Sequence, residues 1–210
     1  MIRVVIVDDD LLVRTGLRAI LDSEDDIDVV GEAEDGEDVP ALINSSDPDI
    51  VLMDVRMRGV DGITATTRLV AADLRAKVLV MTTFENDSYV YDALRAGASG
   101  FVLKRSGADH LLIAIRTLAT TDSLLFPSEL RNLLQASTRH RTTLPALTTR
   151  EQEVLTGIAR GLSNAEIASE LFVGNETVKT YVGTLLGKLG VRDRTQAAIA
   201  AYESGFIGLQ

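Results

Sequence analysis

The chain has 210 residues, 46% of them apolar, a formal net charge of −10 and no cysteine. That length suits one large or two ordinary domains, the apolar share supports packed cores rather than a disordered chain, and the lack of cysteine excludes disulfide and thiolate chemistry, in keeping with a cytoplasmic location. The opening MIRVVIVDDD is too acidic for a signal peptide, and no stretch has the apolar length of a membrane span, so no membrane partner is expected.

Charge divides the chain. Residues 1 to 122 hold 12 Lys/Arg against 23 Asp/Glu, a balance of −11, while residues 123 to 210 hold 9 against 8, a balance of +1. An acidic half joined to a neutral half predicts two domains. His110 and His140 stand far apart without ligand partners and read as surface or packing residues, not as a metal site.

From the first residue onward, short apolar runs alternate with helical patterns. IRVVIV, IDVVGEA, DIVLM, KVLVM and GFVLK read as strands buried on both faces. Between and after them lie LLVRTGLRAILDS, GEDVPALINSS, DGITATTRLVAADL, NDSYVYDALRAGA and SGADHLLIAIRTLAT, each with helical spacing of its apolar residues. Asn86 and Ser106 stand where helix caps belong, and Gly97 and Gly100 punctuate a helix end. Regular βα alternation with short connections predicts an α/β fold, a doubly wound parallel sheet covered on both faces.

On that scaffold Asp8 and Asp9 end the first strand, Asp54 the third, Thr82 the fourth and Lys104 the fifth. All project from the carboxyl edge of the sheet, where ligands bind at the point of strand-order reversal. A single strand-end acid, Thr or Lys ordinarily just meets solvent; the five together make a specific constellation. Clustered carboxylates repel one another, and a hard divalent cation, Mg²⁺, relieves this with few protein ligands. Asp9 and Asp54 are expected as direct ligands, Asp8 through water and Arg56 through its carbonyl. Asp54 could then attack phosphorus in line and form an acyl phosphate, with Thr82 donating to one phosphoryl oxygen and Lys104 neutralising another.

VIVDDD, VLMDVRMRGVDG, VMTT and AGASGFVLK, in this order and spacing, resemble the receiver domain of a bacterial two-component response regulator over residues 1 to about 120. The resemblance implies a flavodoxin-like fold, Mg²⁺, and phosphotransfer from a sensor histidine kinase onto Asp54. It also implies that Thr82 moves toward the phosphoryl group while Phe101 turns inward. Two residues depart from the family pattern: Arg58 stands where proline is usual, loosening the turn and adding a cation, and Leu11 replaces another frequent proline.

Two enzyme readings fare worse. Asp8-Asp9-Asp10 satisfies the acids of the motif that opens haloacid-dehalogenase-like phosphatases, but Leu12 stands where a small β-branched residue belongs and residues 20 to 50 are too compact for a substrate cap. GTLLGK, at 183 to 188, is one residue short of a phosphate-binding loop and lies within a helical pattern. No enzyme activity is expected beyond self-phosphotransfer and slow autodephosphorylation.

Residues 121 to 146 read as a linker, with a short helix near 127 to 136 opened by Pro127 and a solvated STRHRTT tract; Arg139 and Arg141 are read as solvated rather than as nucleic-acid contacts. From residue 147 onward four helices are expected, at 149–160, 164–171, 175–188 and 194–204. Thr148 with Glu151 and Ser163 with Glu166 form capping boxes, and Asp193 with Gln196 opens the last helix. In the third helix Val178, Val182, Leu185, Leu186 and Leu189 make one apolar face. The outer stripe of Lys179, Thr180, Gly183, Thr184 and Gly187 is small and polar. Each interior glycine costs about 1 kcal/mol relative to alanine, so this helix is poorly chosen for stability alone. Small exposed residues permit close approach, as in a helix-turn-helix entering a major groove.

The stretch LTTREQEVLTGIARGLSNAEIASELFVGNETVKTYVGTLLGKLGVRDRTQAAIAAYESG is similar to LuxR-type DNA-binding domains. With the receiver it makes the chain resemble a NarL/FixJ-type transcriptional response regulator. The resemblance places Lys179, Thr180 and Gly183 toward DNA bases, Thr177 and Lys188 at phosphates and Thr184 among the DNA-binding residues, with double-stranded DNA, a second copy and RNA polymerase as partners. Gly174 replaces the usual serine cap and Glu176 sets a negative charge near the DNA backbone. Residues 147 to 210 carry 6 Lys/Arg against 7 Asp/Glu. One such unit neutralises few phosphates, so paired half-sites and a phosphorylation-promoted homodimer are expected, with the last helix offering an apolar pairing face.

Overall fold

The computed structural model describes residues 1–72, 74–83, 87–120 and 143–207. The chain divides into two compact units, Met1–Ala119 and Thr120–Gln210.

In the first unit, β1 (Ile2–Val7), β2 (Ile27–Ala33), β3 (Ile50–Asp54), β4 (Lys77–Thr82) and β5 (Gly100–Leu103) form one parallel sheet in the order β2-β1-β3-β4-β5. The helices are α1 (Leu11–Leu21), α2 (Val39–Ser46), α3 (Gly62–Ala71), α4 (Asp87–Arg95) and α5 (Gly107–Thr120). The strands are continuous apolar runs because both faces of the sheet are covered. Val4 to Val7 and Ile50 to Met53 have no exposed surface, and each such side chain contributes about 1.5–3 kcal/mol through burial. The chain winds outward from β1 to β2 and returns on the other side at β3, so the switch point lies between β1 and β3.

Local chemistry sets the element ends. Asp10 opens α1 by accepting from the Leu12 N–H, and Asp61 opens α3 by accepting from the Thr64 N–H. Gly97 takes a left-handed φ of 109° after α4, ending that helix as expected. Gly100 does not share that role: it is the first residue of β5 and pairs with Leu79. The cap expected at Asn86 and the helix expected near 127 to 136 lie outside the described residues.

The second unit has α6 (Thr149–Ala159), α7 (Asn164–Leu171), α8 (Asn175–Leu189) and α9 (Arg194–Glu203). Both capping boxes are present, at Thr148/Glu151 and Ser163/Glu166, and Asp193 accepts from the Gln196 N–H. The core gathers Val154, Leu155, Ile158, Ile167, Val178 and Leu185. The turn between α7 and α8 passes through Phe172, a non-glycine residue at φ 55°. α9 is the helix expected to offer an apolar pairing face. Ala197, Ala198 and Ala201 have no exposed surface, and α9 packs chiefly on α6, with the Tyr202 hydroxyl donating to the Ala159 carbonyl at 3.0 Å.

Candidate functional sites

At the carboxyl edge of the sheet, Asp8 and Asp9 follow β1 and Asp54 ends β3, the strand paired with β1. One carboxylate oxygen from each lies within 4.8 Å of the others. Asp8 is fully buried and Asp54 is 7% exposed, whereas Asp9 is half-buried. Lys104, just beyond β5, reaches across β4: its Nζ donates to Asp8 Oδ2 and lies 2.9 Å from Asp54 Oδ1. Thr82, which follows the strand partner of Asp54, is buried, and its carbonyl accepts the Lys104 N–H at 2.8 Å. All five constellation residues are thus positioned from the ends of neighbouring strands.

Burial raises the Asp54 carboxyl above the usual aspartate range, Lys104 opposes the rise, and the charges of Asp8 and Asp9 add to it. For Lys104 burial works against the charge, but hydrogen bonds to Asp8 and Asp54 outweigh it and hold the ammonium above the ordinary lysine value. Three converging carboxylates, two of them buried, fit a hard divalent cation that takes oxygen ligands. They outnumber the one ammonium bridging Asp8 and Asp54.

The loop after Asp54 is fixed from two sides. A Cβ on Gly62 would lie 2.0 Å from the Asp54 carbonyl oxygen, so only glycine lets α3 start this close to the strand end. The Val60 N–H donates to Asp35 Oδ1 at 3.1 Å, and the Gly36 N–H donates to the Val60 carbonyl at 3.2 Å. Sequence reading missed this Asp35 clamp, which depends on a loop 25 residues away. Arg56, whose carbonyl is a candidate ligand, is exposed, and its guanidinium lies 5.8 Å from the centre of the Tyr89 ring on α4. Arg58 Nε lies 3.5 Å from Asp9 Oδ2. Phe101 is buried on β5, paired with Val80.

In the second unit, α8 turns Val178 and Leu185 into the core and leaves Thr177, Lys179, Thr180, Gly183, Thr184, Gly187 and Lys188 exposed. Nothing lies within 4 Å of a Cβ built on Gly183 or Gly187. Lys179 pairs with Glu176 at 2.9 Å. Lys188, expected at a DNA phosphate, pairs at 2.7 Å with Glu151 Oε2, the carboxylate that also closes the α6 capping box. This ion pair ties the end of α8 to the start of α6. Sequence spacing could not reveal it, since the partners are 37 residues apart.

Lys188 first of all, then the Thr148 N–H, hold the Glu151 carboxyl below the usual glutamate range. A depressed carboxylate contributes stability above its unfolded pKa and loses it as pH falls through the folded one. Lys188→Ala is therefore expected to lower the melting temperature of the helical unit at neutral pH, with the deficit shrinking below the glutamate range. Thermal unfolding by circular dichroism at both pH values checks this; a deficit that stays constant in acid would argue against the pair.

The first unit is thus a doubly wound sheet with an acid-and-lysine cluster at its switch point, and a helix-turn-helix unit follows it in the chain. Family models support both parts: response regulator receiver domain over residues 4–116, and bacterial regulatory proteins of the luxR family over residues 145–201. The chain is 41% identical to the transcriptional regulatory protein LiaR of Bacillus subtilis (strain 168), over 99% of this chain and 100% of LiaR. Among solved structures it is similar to the response regulator ChrA of a heme-sensing two-component system, with 40% identity, TM-score 0.54 and 98% of each chain covered. It is also similar to the structure of two RcsB dimers bound to two parallel DNAs, with 25% identity, TM-score 0.57, and 96% of this chain and 98% of that chain covered. The chain belongs to the two-component response regulators that join a receiver domain to a LuxR-type DNA-binding domain.

Proposed function

We propose that Asp54 accepts a phosphoryl group from a sensor histidine kinase and that this promotes dimerisation and sequence-specific binding to paired DNA half-sites, thereby controlling transcription. The observation that carries this reading is the convergence of Asp8, Asp9 and Asp54 with Lys104 bridging two of them. Asp9, Asp54 and the Arg56 carbonyl would hold Mg²⁺ directly and Asp8 through water. When bound, Mg²⁺ offsets the charge of the carboxylates and of the incoming phosphoryl oxygens.

Asp54 supplies the attacking carboxylate oxygen; the new P–O bond forms as the bond from phosphorus to the donor nitrogen breaks, and the electron pair leaves with the donor. Lys104 then faces a more anionic neighbour at Asp54 and pairs with a phosphoryl oxygen. The Thr82 hydroxyl donates to another, and Phe101, paired with Val80 on the adjacent strand, adjusts with it. Division into a receiver at 1–120, a linker at 121–146 and a DNA-binding domain at 147–210 lets one unit receive the signal while the other reads DNA. Lys179, Thr180 and Gly183 face bases, Thr177 and Lys188 meet phosphates, and Thr184 belongs to the same DNA-contacting stripe. The solved assembly of RcsB dimers on DNA supports two copies acting together. RNA polymerase is a further partner and the cytoplasm the setting; among the described residues no helix is long and apolar enough to cross a membrane.

A gel-shift titration on a promoter fragment, with and without a small-molecule phosphodonor and Mg²⁺, tests the reading. Affinity is expected to rise by about tenfold or more on phosphorylation, since joining two weak sites converts the second contact into an intramolecular one. Protein that binds DNA equally with and without donor would remove the switch, and protein that binds no DNA would remove the readout.

A further inference from the structure

Arg58 is 95% exposed at its side chain, yet its Nε lies 3.5 Å from Asp9 Oδ2, the more accessible carboxylate of the cluster. So exposed a side chain contributes little to packing, and its ion pair is with a carboxylate that the site needs for a cation. Its backbone is also held. The next two residues are locked by Asp35, which accepts the Val60 N–H, and a Cβ on Gly59 would lie 1.6 Å from Asp35 Oδ2. Arg58 is thus presented to Asp9 from an anchored loop, while Lys104 serves the opposite side of the cluster at Asp8 and Asp54.

We propose that Arg58 is a tethered counter-ion that occupies the Asp9 edge of the acid cluster and must be displaced when a divalent cation binds, so that it sets the metal affinity of the site. The inference rests on the Mg²⁺ reading given above. Two effects act in the same direction. The Arg58–Asp9 pair has to break for Asp9 to become a full ligand, and the guanidinium remains close enough to repel a doubly charged ion. Both are limited by solvent, because an exposed ion pair is weak and screened by salt. The guanidinium gives up its pair with Asp9 as the metal arrives but stays tethered nearby, so Asp9 faces a cation in both states.

Titration of the full-length chain with MgCl₂ by isothermal calorimetry, without phosphodonor, tests this. Arg58→Ala is expected to bind Mg²⁺ about two- to tenfold more tightly than the parent, the range a surface ion pair and a nearby like charge allow. Arg58→Lys, which keeps the charge, should stay near the parent value, and the gap between Arg58→Ala and the parent should narrow as KCl is raised. Circular dichroism confirms folding, which so exposed a position is expected to tolerate. Equal or weaker Mg²⁺ binding by Arg58→Ala overturns the inference and leaves the metal site standing. A parent chain that binds no Mg²⁺ overturns the metal reading and the inference together.

Discussion

Asp54→Asn should abolish phosphoryl uptake and, in the absence of Mg²⁺, make the receiver more resistant to heat at neutral pH. The amide is nearly isosteric but cannot serve as the attacking carboxylate, so treatment with a phosphodonor and Mg²⁺ should leave no labile adduct on the variant while the parent carries one. The stability gain has a separate origin. Burial raises the Asp54 carboxyl above its ordinary range, so ionising it weakens the folded state; its stabilising contribution is present below the unfolded pKa and is lost as pH rises through the folded one. The amide carries no such penalty. The variant's advantage should therefore close as pH falls through the aspartate range, and close from the other side when Mg²⁺ is added to the parent at neutral pH. Thermal unfolding at two pH values, with and without the metal, reads both. A variant that melts below the parent under all four conditions would show that Asp54 is held as a structural ion pair with Lys104 and not as a strained, available carboxylate.

Gly183→Glu should lower DNA affinity by roughly 10- to 100-fold, corresponding to about 1–3 kcal/mol, the usual cost of losing one base-level fit, while leaving the fold intact. A side chain at this position enters open space, since nothing lies within 4 Å of a Cβ there. Replacing an interior helix glycine even favours the helix by about 1 kcal/mol in the case of alanine. The damage would fall on the interface alone, because residues 147 to 210 hold 6 Lys/Arg against 7 Asp/Glu and have no surplus of positive charge to absorb another carboxylate. Gly183→Ala separates the two effects, raising the melting temperature with a smaller change in binding. Unchanged DNA affinity in Gly183→Glu, measured by fluorescence anisotropy at fixed salt, would move the interface off the α8 stripe.

What the sequence makes legible follows from how local each signal is. The five strands are apolar runs closed by turn residues, so Ile50 to Met53 announce a buried strand without any knowledge of its neighbours, and parallel βα alternation then brings Asp8, Asp9, Asp54, Thr82 and Lys104 to one edge. The capping boxes at Thr148 and Ser163 are four-residue signals and are equally plain. Gly100 is ambiguous because a glycine after a helix reads as a stop whether or not a strand begins there; only its pairing with Leu79 decides. The apolar face of α9 shows the same limit at a larger scale. Periodicity says that Ala197, Ala198 and Ala201 must be covered but not by what; in the structure they have no exposed surface, and α9 packs chiefly on α6. The ion pairs Arg58–Asp9 and Lys188–Glu151 and the Asp35 clamp join residues distant in the chain, with no spacing rule to expose them.

Phosphoryl uptake and assembly can be followed together in one sample. The full-length chain, phosphorylated to graded extents with a small-molecule donor and Mg²⁺, is examined by intact mass spectrometry for adduct and by sedimentation velocity for dimer. The dimer fraction is expected to climb in step with phosphoryl occupancy, the adduct to map to Asp54, and Asp54→Asn to stay at the starting distribution throughout. A fully phosphorylated chain that sediments like the untreated one would contradict the coupling of Asp54 to dimerisation.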